Sequence, residues 1–192
     1  MRIFLAGATG VLGVRLLPLL AVAGHTVAGM TRTPAKAEQL RALSAQPIVC
    51  DALDPAAVHE AVTGFAPQLV VDELTDLPDD PARIDEHRAA QNRMRREGIS
   101  NLLVPAQAVG ARVISQSIAW TLDADAQAAV DEHERLVTDA GGVLLRYGQL
   151  YGPGTFYEHQ PPEPPRVHID QAARRTVLAL DAPARSAITI VD

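Results

Sequence analysis

Lysine is nearly absent from this 192-residue chain: Lys36 is the only one among 17 basic residues, set against 23 acidic ones. The net charge is −6, and no basic stripe forms, which argues against a nucleic-acid surface. Cysteine is equally scarce. Cys50 alone cannot close an internal disulfide, and in the apolar run Pro47-Ile48-Val49-Cys50 it reads as a small core residue rather than a reactive thiol. Long apolar runs are missing too. The stretch from Met1 to Gly24 has the outline of a signal peptide, but Gly7, Gly10, Gly13 and Arg15 interrupt it. No run approaches the ~20 residues needed to span a bilayer. The expectation is a soluble, cytoplasmic protein with no membrane or nucleic-acid partner and no metal site.

What is present supports one sizeable core, since 47% of the residues are hydrophobic. Short β-rich runs alternate with helical stretches. Strands are expected at Arg2 to Ala6, Thr26 to Thr31, Pro47 to Cys50, Leu69 to Leu74, Arg112 to Ser117 and Val143 to Arg146. Helices are expected at Val11 to Ala23, Pro34 to Leu43, Pro55 to Phe65, Ile84 to Val109 and Ala124 to Ala140. This alternation specifies an α/β fold, a doubly wound parallel sheet with helices on both faces. Beyond it, Tyr151-Gly152-Pro153-Gly154 opens a turn, and residues 160–165 form a proline-rich connector that excludes helix and central strand. A helix from Ile169 to Leu180 and a strand from Ala187 to Val191 complete the chain. The expected organisation is a main domain of residues 1–154, with a short extension of residues 155–192 packed on it.

Gly7-Ala8-Thr9-Gly10-Val11-Leu12-Gly13 falls between the first strand and the first helix. In that context Gly7 permits a sharp turn, Gly10 lets backbone N–H groups approach a pyrophosphate, and Gly13 lets helix and strand pack closely. The helix N-terminus adds its partial positive charge. The main domain is therefore expected to be a Rossmann fold that binds a dinucleotide through Gly7, Thr9, Gly10, Val11, Leu12 and Gly13. A site preferring NAD places an acid about 20 residues further on, to bond the ribose 2′-OH. Here the second strand ends Met30-Thr31-Arg32-Thr33, without one. Arg32 offers a planar fork for a 2′-phosphate, with Thr31, Thr33 and Lys36 as further donors, so NADP(H) is the expected cofactor. Asp51, next to Ala52, is placed either to meet the adenine end or to cap the turn at Asp54-Pro55.

The sequence resembles the extended short-chain dehydrogenase/reductase family, which includes sugar-nucleotide epimerases and dehydratases. The resemblance rests on the glycine loop, on Cys50-Asp51-Ala52-Leu53-Asp54, on Gly98-Ile99-Ser100-Asn101-Leu102-Leu103 and on Ser115-Gln116-Ser117. It continues through Leu145-Arg146-Tyr147-Gly148-Gln149-Leu150-Tyr151-Gly152-Pro153-Gly154 and Val167-His168-Ile169-Asp170-Gln171-Ala172-Ala173. It implies that Ser117 bonds the substrate oxygen and that Leu74 and Thr75 flank the nicotinamide ribose. Tyr147, Gly148 and Gln149 would line the nicotinamide and substrate side. It also implies a homodimer formed by the long Ile84–Val109 helix and the Ala124–Ala140 helix. Two departures stand out. The family's Tyr-x-x-x-Lys pair is missing, because no tyrosine or lysine lies between Ser117 and Gly141. The C-terminal substrate-binding segment is also much shortened, which implies a small substrate, an open site, or a pocket completed by another subunit.

Acid–base capacity remains elsewhere. Asp72, Glu73 and Asp76 cluster at the end of the fourth strand and are read either as a general base or acid with a raised pKa, or as capping or solvated turn carboxylates. His133, between Glu132 and Glu134, is either a proton donor or a surface histidine. Tyr151 is either a donor or a packing aromatic, and His168 and Asp170 read as helix caps. Three functions follow: an NADP(H)-dependent reductase or epimerase of a small molecule with an unusual proton donor, a non-redox isomerase, dehydratase or cyclase, or a non-catalytic NADP(H) sensor.

Overall fold

In the computed structural model, which covers residues 1–192, strand and helix alternate from the first residues onward. The strands β1 (Arg2–Ala6), β2 (Thr26–Thr31), β3 (Gln46–Val49), β4 (Leu69–Asp72), β5 (Arg112–Ile118) and β6 (Val143–Tyr147) are interleaved with helices. Those helices are α1 (Gly13–Val22), α2 (Ala37–Ala42), α3 (Pro55–Phe65), α4 (Ile84–Arg93), α5 (Ile99–Ala108) and α6 (Ala124–Asp139). Then come β7 (Gln149–Tyr151), β8 (Arg166–His168), α7 (Ile169–Leu178) and β9 (Ala187–Ile190). The main sheet runs β3-β2-β1-β4-β5-β6-β9, with every pair parallel. The winding reverses between β1 and β4, and a cleft opens there at the carboxyl ends of the strands.

Alternation along the strands divides the core in two. Ile3 and Leu5 face one side with Leu16, Leu17 and Leu20 of α1 and Ala172 and Ala173 of α7. Phe4 and Ala6 face the other with Val58, Val62 and Phe65 of α3 and Leu102 of α5. Each fully buried leucine of α1 contributes about 1.5–3 kcal/mol relative to exposure. Asp54 caps α3 by accepting from the backbone N–H groups of Ala56 and Ala57 at 3.0 Å each. Cys50 is buried, and desolvation followed by Asp54 and Asp51 pushes its thiol up to about 11, which suits a core residue and not a reactive thiolate. No helix is long and apolar enough to cross a membrane.

Two regions differ from the sequence expectation. The stretch expected as one helix from Ile84 to Val109 widens into a π-helical segment at Met94–Gly98 between α4 and α5. A tertiary contact accompanies the widening: the carbonyl of Arg95 accepts a 3.0 Å hydrogen bond from His133 Nδ1 on α6. Second, Tyr151 does not simply open a turn. Gln149–Tyr151 and Arg166–His168 pair in parallel as a separate two-stranded ribbon, which returns the proline-rich connector to the body of the protein. Beyond the connector, α7 packs on α1, and β9 joins the main sheet beside β6.

Candidate functional site

The cleft has a volume of about 1990 Å³. A single small-ligand pocket usually occupies ~300–1,000 Å³, so there is room for a dinucleotide and a second molecule. One end is the glycine loop. Gly7 adopts φ +79°, and a Cβ there would fall 2.4 Å from the carbonyl oxygen of Glu73. A Cβ on Gly13 would fall 2.3 Å from the Gly7 carbonyl oxygen. Strand register explains the first crowding: Ala6 pairs with Asp72, so the next residues, Gly7 and Glu73, meet where the winding reverses. The backbone N–H groups of Val11 and Leu12, at the start of α1, have no acceptor within the protein. A close-approach glycine cradle with unclaimed donors at a helix N-terminus fits a pyrophosphate.

From the loop the cleft passes Thr31, Arg32, Thr33 and Lys36 at the end of β2. Thr9 and Thr31 share a 3.1 Å hydroxyl contact, which ties the loop to that strand. Arg32 is well exposed and forms a 2.8 Å ion pair with Asp76. Asp76 is therefore engaged as Arg32's partner, which takes it out of the group of free carboxylates. Asp51 and Ala52 lie outside the cleft. Asp51 accepts from Leu53 N–H at 2.9 Å in a local turn, while Asp54 does the helix capping. Leu74 and Thr75 line the cleft, and the Leu74 carbonyl accepts from Gln116 Nε2 at 2.7 Å.

The other end of the cleft is built on β5, β6 and α6. Ser117 lines it, donating to Glu134 Oε1 at 2.6 Å, and Glu134 in turn receives Arg146 through both carboxylate oxygens. Burial pushes Glu134 up, but the bonds from Arg146 and Ser117 outweigh it and hold the carboxyl below its ordinary value. Ser117 is thus fixed by a charge-assisted network.

His133 is buried, which overturns the surface-histidine expectation. It falls on the inward stripe of α6 with Ala126, Ala129, Val130 and Val137, while Glu132 and Glu134 point elsewhere. Its Nδ1 meets a backbone carbonyl, which cannot donate, so Nδ1 carries the hydrogen. Its Nε2 lies 2.8 Å from Ser115 Oγ, and that hydroxyl lies 2.7 Å from Asp72 Oδ2. Two contacts must each contain a hydrogen, and serine supplies one. The chain Asp72–Ser115–His133 is complete only when one further proton sits on the carboxyl or the imidazole. Burial, partly opposed by His133 and Ser115, holds the Asp72 carboxyl above its ordinary value.

Neighbouring carboxylates on a strand end face opposite ways. Glu73 points to the α7 side, where Tyr147 donates to its Oε1 at 3.0 Å and also meets Thr176 Oγ1 at 2.6 Å. Burial pushes both Glu73 and Tyr147 well above their ordinary values. Tyr151 is not brought to the cleft. Its hydroxyl donates to Asp192 at 2.8 Å and its ring packs edge-on against His168, because the ribbon β7–β8 turns it outward. The packing reading holds for Tyr151, and the capping reading for His168, which accepts from Asp170 N–H at 3.2 Å.

Sequence reasoning missed Ser115, Asn92, Arg95 and the wall formed by residues 153–162, all of which shape this end. Ser115 was visible as the alternate neighbour of Ser117. The wall was not, since nothing local in a proline-rich loop says where it folds back.

The NAD(P)H-binding family matches residues 7–141. The chain belongs to that family. A 3-diazoavenalumate denitrifying reductase from Streptomyces is 35% identical, over an alignment covering all of this chain and 76% of that protein. The UDP-glucose 4-epimerase of Thermus thermophilus, solved with NAD, superposes with a TM-score of 0.80 at 17% identity, covering all of this chain and 78% of that one. The Thermotoga maritima UDP-glucose 4-epimerase, solved with UDP-glucose, gives 0.80 at 16% identity, covering all of this chain and 77% of that one. The family member described here is an atypical short-chain dehydrogenase/reductase with a doubly wound sheet, on a pyridine-nucleotide-binding scaffold of the reductase and epimerase kind. It is shortened relative to the epimerases that share its fold.

Proposed function

We propose that this protein is an NADP(H)-dependent reductase of a small electrophile whose reduction needs no tyrosine–lysine proton relay. The observation that carries the reading is the composition of the cleft wall on α6. Ala126 and Val130, four residues apart on its inward face, line the cleft on the helix where the family resemblance implies tyrosine and lysine. Reducing a carbonyl produces an alkoxide that must be protonated, and two apolar side chains cannot do that. A bound nicotinamide supplies the hydride. An arenediazonium accepts it without a proton: a C–H bond forms, the C–N bond breaks, and its electron pair leaves with dinitrogen. The name of the Streptomyces relative, a denitrifying reductase of a diazo compound, points to the same substrate class.

In this reading Gly7, Thr9, Gly10, Val11, Leu12 and Gly13 hold the pyrophosphate, while Thr31, Arg32, Thr33 and Lys36 hold the 2′-phosphate. Leu74, Thr75 and Tyr147 flank the nicotinamide end, while Asp51 and Ala52, outside the cleft, take no part. Ser117 orients the substrate. Asp72, Glu73 and His133 line the same end of the cleft and are held there by their buried contacts to Ser115 and Tyr147. Residues 1–154 form the dinucleotide-binding unit, the start of the 155–192 extension, up to Pro162, closes one wall, and α4–α5 with α6 pair two copies.

The test begins with calorimetric titration of NADPH and NADH into wild type and Arg32→Ala. A charge-assisted bond to phosphate contributes about 1.5–3 kcal/mol, and giving up the ion pair that the exposed Arg32 makes with Asp76 offsets up to ~1 kcal/mol of it. NADPH affinity is expected to fall roughly 2- to 150-fold in the variant, with NADH little changed. Turnover is then read with a hydroxycinnamate diazonium salt and NADPH deuterated at the transferred position. Deuterium on the former diazo carbon, matched by NADPH loss, supports the proposal. Absence of dinucleotide binding, or an untouched diazonium, overturns it. Tight NADPH binding without turnover would instead favour a sensor.

A further inference from the structure

Three arginines sit at the end of α4 and on the widened segment that follows it, and two have acids. Arg93 pairs with Glu97 at 2.9 Å, and Arg96 pairs with Glu132 at 2.8 Å. Arg95 has none. Its side chain is half-buried and lines the cleft, yet its guanidinium makes no hydrogen bond or ion pair within the protein. Burial acts on it unopposed and holds its pKa below the ordinary value. One turn earlier, Asn92 also lines the cleft. It is only 4% exposed, and its Oδ1 is the one buried side-chain polar atom without a partner in the protein. Asn92 Nδ2 donates to Asp125 at 2.9 Å, and the Arg95 carbonyl accepts from His133. These two ties press this face of the segment against the Asp125–His133 stretch of α6, beside Ala126 and Val130.

A desolvated guanidinium without an anion and a buried carbonyl oxygen without a donor are each unfavourable in the protein alone. Arg93 and Arg96 show that this segment has acids within reach, so the isolation of Arg95 is specific to its inward position. The pyrophosphate cradle lies across the cleft on the β1–α1 loop and has its own unclaimed donors at Val11 and Leu12.

We infer that Arg95 is the anion-binding, specificity-determining residue of the substrate end, taking a carboxylate, with Asn92 Oδ1 accepting a hydroxyl or N–H of the same molecule. The inference rests on the reading that this cleft takes a small-molecule substrate beside the dinucleotide. A planar guanidinium holds a carboxylate through two parallel N–H···O bonds, which fixes orientation as well as position. In a site with apolar Ala126 and Val130, that orientation selects which carbon of the substrate faces the cofactor.

The probes are 4-hydroxycinnamate and its uncharged primary amide, titrated by calorimetry into the full-length protein with and without NADP⁺. The variants are Arg95→Gln and Arg95→Lys, and the cofactor itself is titrated in parallel. The acid is expected to bind wild type roughly 10- to 100-fold more tightly than the amide, the range of a charge-assisted bond. Arg95→Gln should erase that preference, Arg95→Lys should keep part of it, and NADPH affinity should stay within about two-fold in both. Thermal melting gives a ligand-independent reading: removing an unpaired buried charge should leave Arg95→Gln at least as stable as wild type. Equal binding of acid and amide, no binding of the acid, or full acid affinity in Arg95→Gln overturns the inference. So does a loss of NADPH affinity in Arg95→Gln, which would assign the arginine to a cofactor phosphate. If wild type binds the acid but no dinucleotide, the cofactor reading fails and the carboxylate site stands.

Discussion

Glu73→Gln is expected to change how stability depends on pH, not merely its level. The Glu73 carboxyl is buried, and the Tyr147 hydroxyl is its only donor. Burial raises its pKa well above the ordinary value, the Tyr147 bond opposes this in part, and the charge of Asp72 raises it further. In the unfolded chain the same group titrates as an ordinary glutamate near 4.5. The folded protein therefore holds a proton that the unfolded chain has already lost. A raised folded pKa gives stability that is fully present below the unfolded value and is lost as pH rises through the folded one. Within that window wild type loses about 1.4 kcal/mol per pH unit through this group. The substituted amide keeps the volume and the acceptor for Tyr147 but has no proton to lose. The raised Asp72 is common to both proteins, so its contribution cancels in the difference. Urea denaturation at intervals between about pH 5 and pH 8 should show the variant gaining on wild type, by about 1.4 kcal/mol per unit until the folded pKa is passed. Parallel profiles, or a constant deficit in the variant, would refute a buried neutral acid at this position.

Other outcomes follow from the same geometry. Gly7→Ala forces a side chain into a left-handed φ and drives Cβ to 2.4 Å from the Glu73 carbonyl oxygen. It should cost about 1–3 kcal/mol in urea denaturation and weaken NADPH binding at least 10-fold by calorimetry. Ser115→Ala removes the hydroxyl between Asp72 and His133 and orphans two buried groups. A loss of about 2–4 kcal/mol is expected. A loss under about 0.5 kcal/mol would mean that the chain of three is not a cooperative unit.

The sheet, its order of elements and the glycine turn between β1 and α1 were legible in the residues, because each is set by local chemistry. Period-2 and period-3.6 apolar runs, Asp54-Pro55 at a helix start, and glycines spaced where a strand turns into a helix all carry their meaning in a few adjacent positions. The side chains at the far end of the cleft were only partly legible. Ser117 lies on the cleft wall, but the fate of Asp72, Glu73 and His133 depended on register. Pairing Asp72 with Ser115 and Ile118 with Tyr147 sends one carboxyl toward α6 and its neighbour toward α7. No inspection of Asp72-Glu73 as a dipeptide could say which. His133 sits between two acids in sequence and still faces inward, since helical spacing overrides adjacency. Arg95 shows the same limit most clearly. Among Arg93, Arg95 and Arg96 the letters are equivalent, and only the fold decides which arginine meets an acid and which turns into the cleft with none.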